Sequence, residues 1–446
     1  MMIKLIITIW IGKIIILLLK LSKKGSGTAL PGKFAEKYCP GILKILIAKI
    51  PNITIVTGTN GKTTTQTFLG SILANAGFKY ISNSSGSNMA IGIISELIKA
   101  ANIFGMINVK YAIFEVEEAT LPKIIKDINP KQIIVTNLYR DQLDAYGELD
   151  RTEKFIRDAI RQSPKARVLL NIDDPRVCKL TKNLPNETFY YGLDEENRKK
   201  FNYEGSMETI DIKDIQNTKN KIQATNIKIN NDLTTSFILD DKLYQLNTPG
   251  IFHIYNVLAA IYAAKLYGIK EEKILYGVNT APPAFGRGEL IEKDGLKYKF
   301  LLIKNPVGFT LTLDLLKIIK RPNIIIILND NIADGKDISW IWDANVEILL
   351  DIKPKLIILS GTRVEDMLLR IKYAIGQLTK LEHNIYWEKS NDITIILNKN
   401  IESLHTRTLR TLLKGDNKIH AQAYVLPTYT AMLEFRKNLL GHALNE

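Results

Sequence analysis

From Pro51 onward the chain alternates short β-branched runs with stretches whose apolar residues recur at helical spacing. The runs are Ile53 to Val56, Tyr111 to Val116, Gln132 to Thr136 and Arg167 to Leu170. Runs this apolar suit strands covered on both faces, and their alternation with helices predicts a parallel sheet. A second alternation passes through Lys299 to Ile303, Asn323 to Leu328 and Lys355 to Leu359, with Gln422 to Leu426 as a last strand. The pattern predicts an α/β chain, with a central parallel-sheet domain over 51–285 and a smaller α/β domain over 286–446. Asn197 to Leu233 interrupts it with polar residues rich in Asn and Lys, and reads as a loosely ordered insertion or a small β excursion. Phe237 to Leu246 reads as a hairpin, Ile254 to Leu266 as an alanine-rich helix, and Pro282 to Gly288 as a domain junction.

Residues 1–50 form an apolar helix and lead-in. Met1 to Lys20 is apolar apart from a few polar positions, Lys4, Lys13 and Lys20 among them. A secretory signal needs a small-residue cleavage site, and Gly25-Ser26-Gly27 is a poor one. A membrane span needs about twenty unbroken apolar residues, and Lys13 interrupts the run. A helix that packs on the core, or lies in the membrane interface with its lysines reaching outward, satisfies the pattern best.

With 446 residues, 46% hydrophobic and 24% charged, the chain has the composition of a soluble globular protein with more than one core. A net charge of +14 admits an anionic partner. No basic run interleaved with aromatics points to nucleic acid, so the charge reads as a lysine-rich surface. Cys39 and Cys178 lie far apart with no C-x-x-C partner, which gives neither a zinc site nor a disulfide framework and fits a reducing cytoplasm.

Ligands of such sheets bind at the carboxyl ends of strands, and there the polar clusters lie. Ile53 to Val56 runs into Thr57-Gly58-Thr59-Asn60-Gly61-Lys62-Thr63-Thr64-Thr65 and then a helix. Strand, Gly-rich turn, Lys-Thr and helix is the arrangement of a phosphate loop. The spacing is not G-x-x-x-x-G-K-[ST], because Val56 stands where the first glycine belongs. Backbone N–H groups of Gly58 to Thr63 are expected to cradle phosphates, Lys62 to neutralise charge, and Thr63 to offer a hydroxyl to magnesium. Glu115 ends the next strand as a candidate magnesium ligand, and alternation would put Glu117 on its face. Further candidates are the Asn83 to Gly92 stretch as a ligand contact or a solvent turn, Thr136 to Asp144, the Asn171 to Asp174 turn as a nucleotide contact or an ordinary turn, Arg287 as a phosphate clamp or interdomain salt bridge, and Lys304 to Gly308. Asn329 to Asp343 joins four aspartates to two tryptophans, as a packed loop or a partner surface.

Together these segments resemble the Mur ligase superfamily, which joins a carboxylate to an amine through an acyl phosphate. The resemblance rests on Thr57 to Thr65, Asn83 to Gly92, the F-E-V-E-E at Phe114, the N-x-D-D of Asn171 to Asp174, and Gly286-Arg287. Four segments are similar to one branch, the ligase-like subunits of lipid II isoglutaminyl synthases: Arg140 to Glu148, Lys304 to Gly308, Asn329 to Asp343 and Pro427 to Met432. The similarity covers about residues 25 to 435. It implies a Mur-ligase-type central domain in which ATP phosphorylates the α-carboxyl of D-glutamate in the lipid II stem peptide. Ammonia then displaces phosphate and leaves D-isoglutamine, in the cytoplasm or at the inner face of the plasma membrane. It also implies a heterodimer with a GatD-type glutamine amidotransferase that supplies the ammonia, with Asp337 orienting the partner's histidine. By the same resemblance Gly58, Thr59, Asn60, Gly61, Lys62, Thr63 and Thr64 hold ATP, Thr63 and Glu115 hold magnesium, Asn256 lies on the adenine side, and Lys62, Glu115 and Asp337 are the catalytic set.

The chain departs from the family in three places. The four-cysteine zinc ribbon expected within Asn197 to Leu233 has no cysteines, so zinc is not expected. His253 stands where an asparagine belongs. Lys154 lies too close to the D-x-x-D segment for a carbamylated lysine, and Arg157 is nearer the expected place. Two other enzyme-related readings compete. A stand-alone ligase of the folylpolyglutamate or cyanophycin synthetase kind leaves the Asn329 to Asp343 string unexplained. A non-catalytic glutaminase activator predicts that Lys62→Ala leaves amidation intact.

Overall fold

The computed structural model describes residues 2–21, 29–83, 89–139, 148–200, 220–283, 286–293, 295–375, 385–388 and 422–440. Three helices lead in: α1 (Met2–Leu21), α2 (Leu30–Tyr38) and α3 (Ile42–Ile47). There follow β1 (Asn52–Thr57), α4 (Lys62–Asn75), β2 (Tyr80–Ser82), α5 (Ala90–Ala100), β3 (Tyr111–Glu115), α6 (Leu121–Ile128), β4 (Gln132–Val135), α7 (Glu148–Arg161) and β5 (Arg167–Asn171). Then come β6 (Thr188–Leu193), α8 (Glu195–Lys200), β7 (Lys221–Ile229), β8 (Thr235–Leu239), β9 (Lys242–Leu246), α9 (Phe252–Leu266) and α10 (Glu271–Asn279).

The nine strands form one sheet in the order β2-β3-β1-β4-β5-β6-β7-β8-β9. Pairing is parallel from β2 through β7 and antiparallel over β7, β8 and β9. The α/β architecture expected from the alternation is therefore present. β3 and β4 flank β1, so the strand order reverses there, and the loops after β1, β3 and β4 open into one crevice. One apolar core lies on each face of the sheet. The core that includes α9 explains that helix's composition. It is apolar all round, its residues from His253 to Ala264 are buried, and its alanines let it lie close to its neighbours.

The polar stretch after β6 contains more order than its composition suggests. Lys221 to Ile229 is strand β7, which extends the sheet parallel to β6 and then pairs with β8. Its first half buries Ile222 and Ala224, while its second half is partly exposed and packs through half-buried Ile227 and Ile229. Residues 201–219 lie outside the described residues.

A second sheet begins at Arg287. Its elements are β10 (Arg287–Lys293), β11 (Leu296–Leu301), α11 (Pro306–Leu316), β12 (Asn323–Ile327), α12 (Leu349–Ile352), β13 (Leu356–Ser360), α13 (Val364–Ile375), β14 (Ile385–Glu388), β15 (Gln422–Pro427) and α14 (Tyr429–Leu440). The order is β10-β11-β15-β12-β13-β14, antiparallel only between β10 and β11. α1 packs one face against this molecule. Ile9 is fully buried, the Trp10 indole donates to the Ile103 carbonyl at 2.7 Å, and the Lys13 ammonium donates to the Lys99 carbonyl at 3.1 Å.

Candidate active site

β1 ends at Thr57 and α4 starts at Lys62, so the chain reverses in four residues. Gly58 and Gly61 take φ of +119° and +88°, where a side chain is strained. Space forbids one as well: a Cβ on Gly58 would lie 2.4 Å from Thr136 Oγ1, and one on Gly61 2.1 Å from Asn256 Oδ1.

The shape of the loop is set by the segment that follows β4. The Thr59 N–H donates to the Asn137 carbonyl at 2.9 Å. The Asn137 side chain accepts from the Asn60 N–H at 2.8 Å and donates to the Asn60 carbonyl at 3.0 Å. The Tyr139 N–H donates to Thr59 Oγ1 at 3.0 Å. Thr136 to Tyr139 therefore moulds the loop, and the remainder of that motif, Arg140 to Asp144, lies outside the described residues. This changes the expected cradle. The N–H groups of Thr59 and Asn60 are engaged by Asn137, and that of Gly58 donates to Glu118 Oε1 at 3.0 Å. The first turn of α4 has no side-chain cap among the described residues, the arrangement that suits an anion. Thr64 has its side chain fully buried, so its hydroxyl faces the interior and only its backbone can face an anion.

Two carboxylates meet the loop. Thr63 Oγ1 donates to Glu115 Oε2 at 2.7 Å. The Lys62 ammonium pairs with Glu118 at 2.9 Å and bonds the Gly58 and Thr59 carbonyls. Glu117, expected to share Glu115's face, is instead exposed. The strand ends at Glu115, alternation stops there, and the turn swings Glu118 back over the loop. Asn83 fixes Glu115 from the other side. Its side chain accepts from the Glu115 N–H at 2.9 Å and donates to the Glu115 carbonyl at 2.8 Å. Residues 84–88 of that stretch lie outside the described residues.

The second sheet reaches the same loop. Asn305 caps α11 by accepting from the Gly308 N–H at 2.8 Å, and donates to Asn60 Oδ1 at 3.0 Å. Arg287 is half-buried at the start of β10. Burial lowers its pKa, and the Glu115 carboxylate opposes that fall. His253 is held well below the usual histidine range, first by burial and then by the Arg287 charge, so it is neutral. Asn256 is buried 3.4 Å from His253 Nδ1 and in direct line with Gly61.

The Asn171 to Asp174 turn, read as a nucleotide contact, is occupied in the fold. Asp174 Oδ2 accepts from the Leu138 N–H at 2.8 Å, and Asp173 Oδ2 from the Leu193 N–H at 2.8 Å. Burial raises both pKa values to about 6, against hydrogen bonds that favour the charged form. Arg157 donates to the Leu180 carbonyl at 3.0 Å and to Lys182 at 2.6 Å, and so braces a turn.

Asp337 lies elsewhere, in the loop after β12. Its carboxylate accepts from the Ser339 N–H at 2.8 Å, and the Ser339 side chain and N–H lower its pKa. The loop is anchored by Pro427 to Thr430, which the sequence left as a separate motif. Thr430 donates to Asp334 through its N–H at 2.7 Å and through its hydroxyl, and the Asn329 N–H donates to Thr428 Oγ1 at 3.0 Å. Trp340 is buried edge-on to Phe309, whereas Trp342 is exposed against Tyr373.

The loop fits ATP with magnesium. Thr63 and Glu115 are hard oxygen donors beside an uncapped helix N-terminus and a lysine. Among the described residues no group of three or more His, Cys, Asp or Glu comes together, so a cation here would draw its other ligands from a bound anion and water.

Residues 56–264 match the Mur ligase middle domain and residues 302–432 the MurT ligase C-terminal domain. The chain is 33% identical to the lipid II isoglutaminyl synthase (glutamine-hydrolyzing) subunit MurT of Streptococcus pneumoniae, over 95% of each chain. Among solved structures, MurF from Acinetobacter baumannii superposes with a TM-score of 0.66 at 16% identity, over 93% of this chain and 80% of that one. MurF from Thermotoga maritima, in complex with ADP, gives 0.60 at 14% identity, over 91% and 84%.

Proposed function

The chain belongs to the family of MurT subunits of lipid II isoglutaminyl synthase, and from that premise we propose that it is the ATP-dependent synthetase half of a glutamine-hydrolysing amidase. Its substrate is the α-carboxyl of D-glutamate in the lipid II stem peptide. The carboxylate takes the γ-phosphoryl of ATP, ammonia attacks the acyl phosphate, phosphate leaves with the bonding pair, and the nitrogen loses a proton. The product is D-isoglutamine. A supply of ATP puts the reaction in the cytoplasm on this reading.

The observation that carries this reading is the convergence on one phosphate loop of residues from both sheets. Lys62 lies across the loop and offsets the negative charge of a bound triphosphate. Its pairing with Glu118 holds the ammonium at the loop. Thr63 and Glu115 would hold magnesium, which when bound shields the phosphate oxygens. Asn305 couples the second sheet to Asn60, and Arg287 brings a positive charge to the side of Glu115. Together they confine the carboxylate and the transferred phosphoryl between the two sheets.

The ammonia comes from a separate glutaminase of the GatD type, docked on the loop that carries Asp337. Asp337 is ionised and held by Ser339, as a residue must be that orients a partner's histidine. Exposed Ile332, Trp342 and Tyr373 give that face an apolar character suited to a partner.

The test combines this chain, a candidate glutaminase, lipid II, ATP and glutamine. Amidated lipid II forms with both chains present. Asp337→Asn abolishes glutamine-driven product and retains product from free ammonium. Product from glutamine with this chain alone would refute the two-chain scheme. Unchanged amidation by Lys62→Ala would refute the synthetase role.

A further inference from the structure

α1 has two apolar faces and the fold uses one. Leu5, Thr8, Ile9, Gly12 and Ile16 turn inward. The approach is close, since a Cβ on Gly12 would lie 3.0 Å from Ile98 Cγ2. The opposite stripe, Ile3, Ile7, Trp10, Ile14, Leu17 and Leu21, is exposed at alternating spacings of four and three. That is a continuous helical face about 28 Å long at 1.5 Å per residue. It continues onto the turn after α5, where Ile103, Phe104 and Met106 are exposed and the Trp10 indole bonds the Ile103 carbonyl. Monomeric surfaces rarely expose so long an apolar strip.

The charge around it has a sign. Residues 1–50 hold nine lysines and one acid, Glu36, a net +8 of the chain's +14. The charge is therefore concentrated in the segment that carries the stripe rather than spread evenly. Lys4, Lys33, Lys37, Lys44 and Lys49 are exposed.

The geometry points to the outer face of α1 and the Ile103–Met106 turn as a docking surface for an anionic lipid bilayer, with α1 lying in the plane of the interface. Apolar side chains enter the acyl boundary while lysines meet headgroups. Trp10, with an apolar body and a bonded N–H, is of the type enriched at that depth. A spanning α1 would strip Ile9 from the core, break the bonds from Trp10 and Lys13, and carry Lys13 into hydrocarbon. A second copy is disfavoured because it would set one lysine-rich patch against another. The inference stands on α1 and not on the amidation reading, since its readout is lipid binding and not turnover.

The experiment is flotation of the full chain with vesicles of phosphatidylcholine alone or with about a third phosphatidylglycerol. Binding to anionic vesicles is expected to be at least about tenfold tighter, since each lysine near the surface contributes about fivefold. Ile7→Glu with Ile14→Glu and Leu17→Glu, all at exposed positions, loses vesicle binding while keeping the wild-type melting temperature. Lys33→Gln with Lys37→Gln narrows the difference between the two vesicle types. Equal binding to both vesicles, or binding unaffected by the three glutamates, would overturn the proposal. So would a wild-type dimer that those glutamates convert to monomer without any vesicle binding, or protein that resists alkaline carbonate extraction.

Discussion

Replacing Asn137 by alanine tests whether the phosphate loop is moulded by its neighbouring strand end. Asn137 is 7% exposed, and its amide makes two hydrogen bonds to the backbone of Asn60. Each such bond contributes about 1 kcal/mol net, and a backbone group left unpaired away from water costs about 1–3 kcal/mol. Water can reach half-buried Asn60, so the lower end applies and the ordered loop loses about 2 kcal/mol relative to disordered alternatives. If ATP binds only the ordered loop, that loss lowers affinity by up to about 30-fold, the limit reached when the wild-type loop is itself only marginally ordered. Calorimetric titration of ATP and magnesium reads it directly. Asn137→Asp sharpens the test, because it keeps the acceptor for the Asn60 N–H, loses the donor to the Asn60 carbonyl, and adds charge beside an anion site. It is expected to bind ATP more weakly than the alanine variant at low salt, with the gap closing as salt rises. Wild-type affinity in both variants would refute the account of how the loop is held.

Gly61→Ala is expected to weaken ATP binding more than tenfold and to lower the melting temperature. Gly77→Ala, also at positive φ but with open space around it, loses only about 1 kcal/mol of stability, so comparing their melting and titration curves isolates the contact with Asn256. Glu115→Gln is expected to raise the magnesium needed for half-maximal activity by about tenfold with the fold intact, because Asn83 holds the backbone of that residue; a metal titration of the rate shows it. Asp173, with its pKa raised to about 6, keeps its proton in the folded state at pH values where the unfolded chain has lost it. The stability linked to that proton is present below pH 4 and is lost as pH rises through 6. From pH 5 to pH 7 the wild type should therefore lose about 1 kcal/mol relative to Asp173→Asn, read from paired denaturation curves.

The parts legible in the sequence are those written in contiguous residues. Buried parallel strands such as Ile53 to Val56 are runs of β-branched residues, and the Gly58 to Thr65 turn keeps its glycines, lysine and threonines together. The brackets around that turn were not legible, because they join distant positions. Asn137 is 77 residues from Asn60, and Asn305 is 245. Both Asn83 and Asn137 stand in clusters whose polarity suggested ligand contact, yet each completes a backbone. Glu118 was missed because alternation was carried past the end of β3, and only the fold shows the strand stopping at Glu115. β7 falls within the stretch read as a loosely ordered insertion or a small β excursion, and because its outer half is polar only the fold separates the two readings. The link between Asn329 to Asp334 and Thr428 to Thr430 spans 99 residues between Asn329 and Thr428, so two motifs that looked independent are one loop and its anchor.

The central claim is that this phosphate loop activates a carboxylate as an acyl phosphate. Lipid II labelled with oxygen-18 in the α-carboxyl of D-glutamate tests it most directly, with ATP, ammonium and the chain together with its glutaminase. Mass spectrometry of the released inorganic phosphate should show one labelled oxygen for each amide formed, because phosphate leaves with an oxygen of the former carboxylate. Amide formed with unlabelled phosphate would contradict the account.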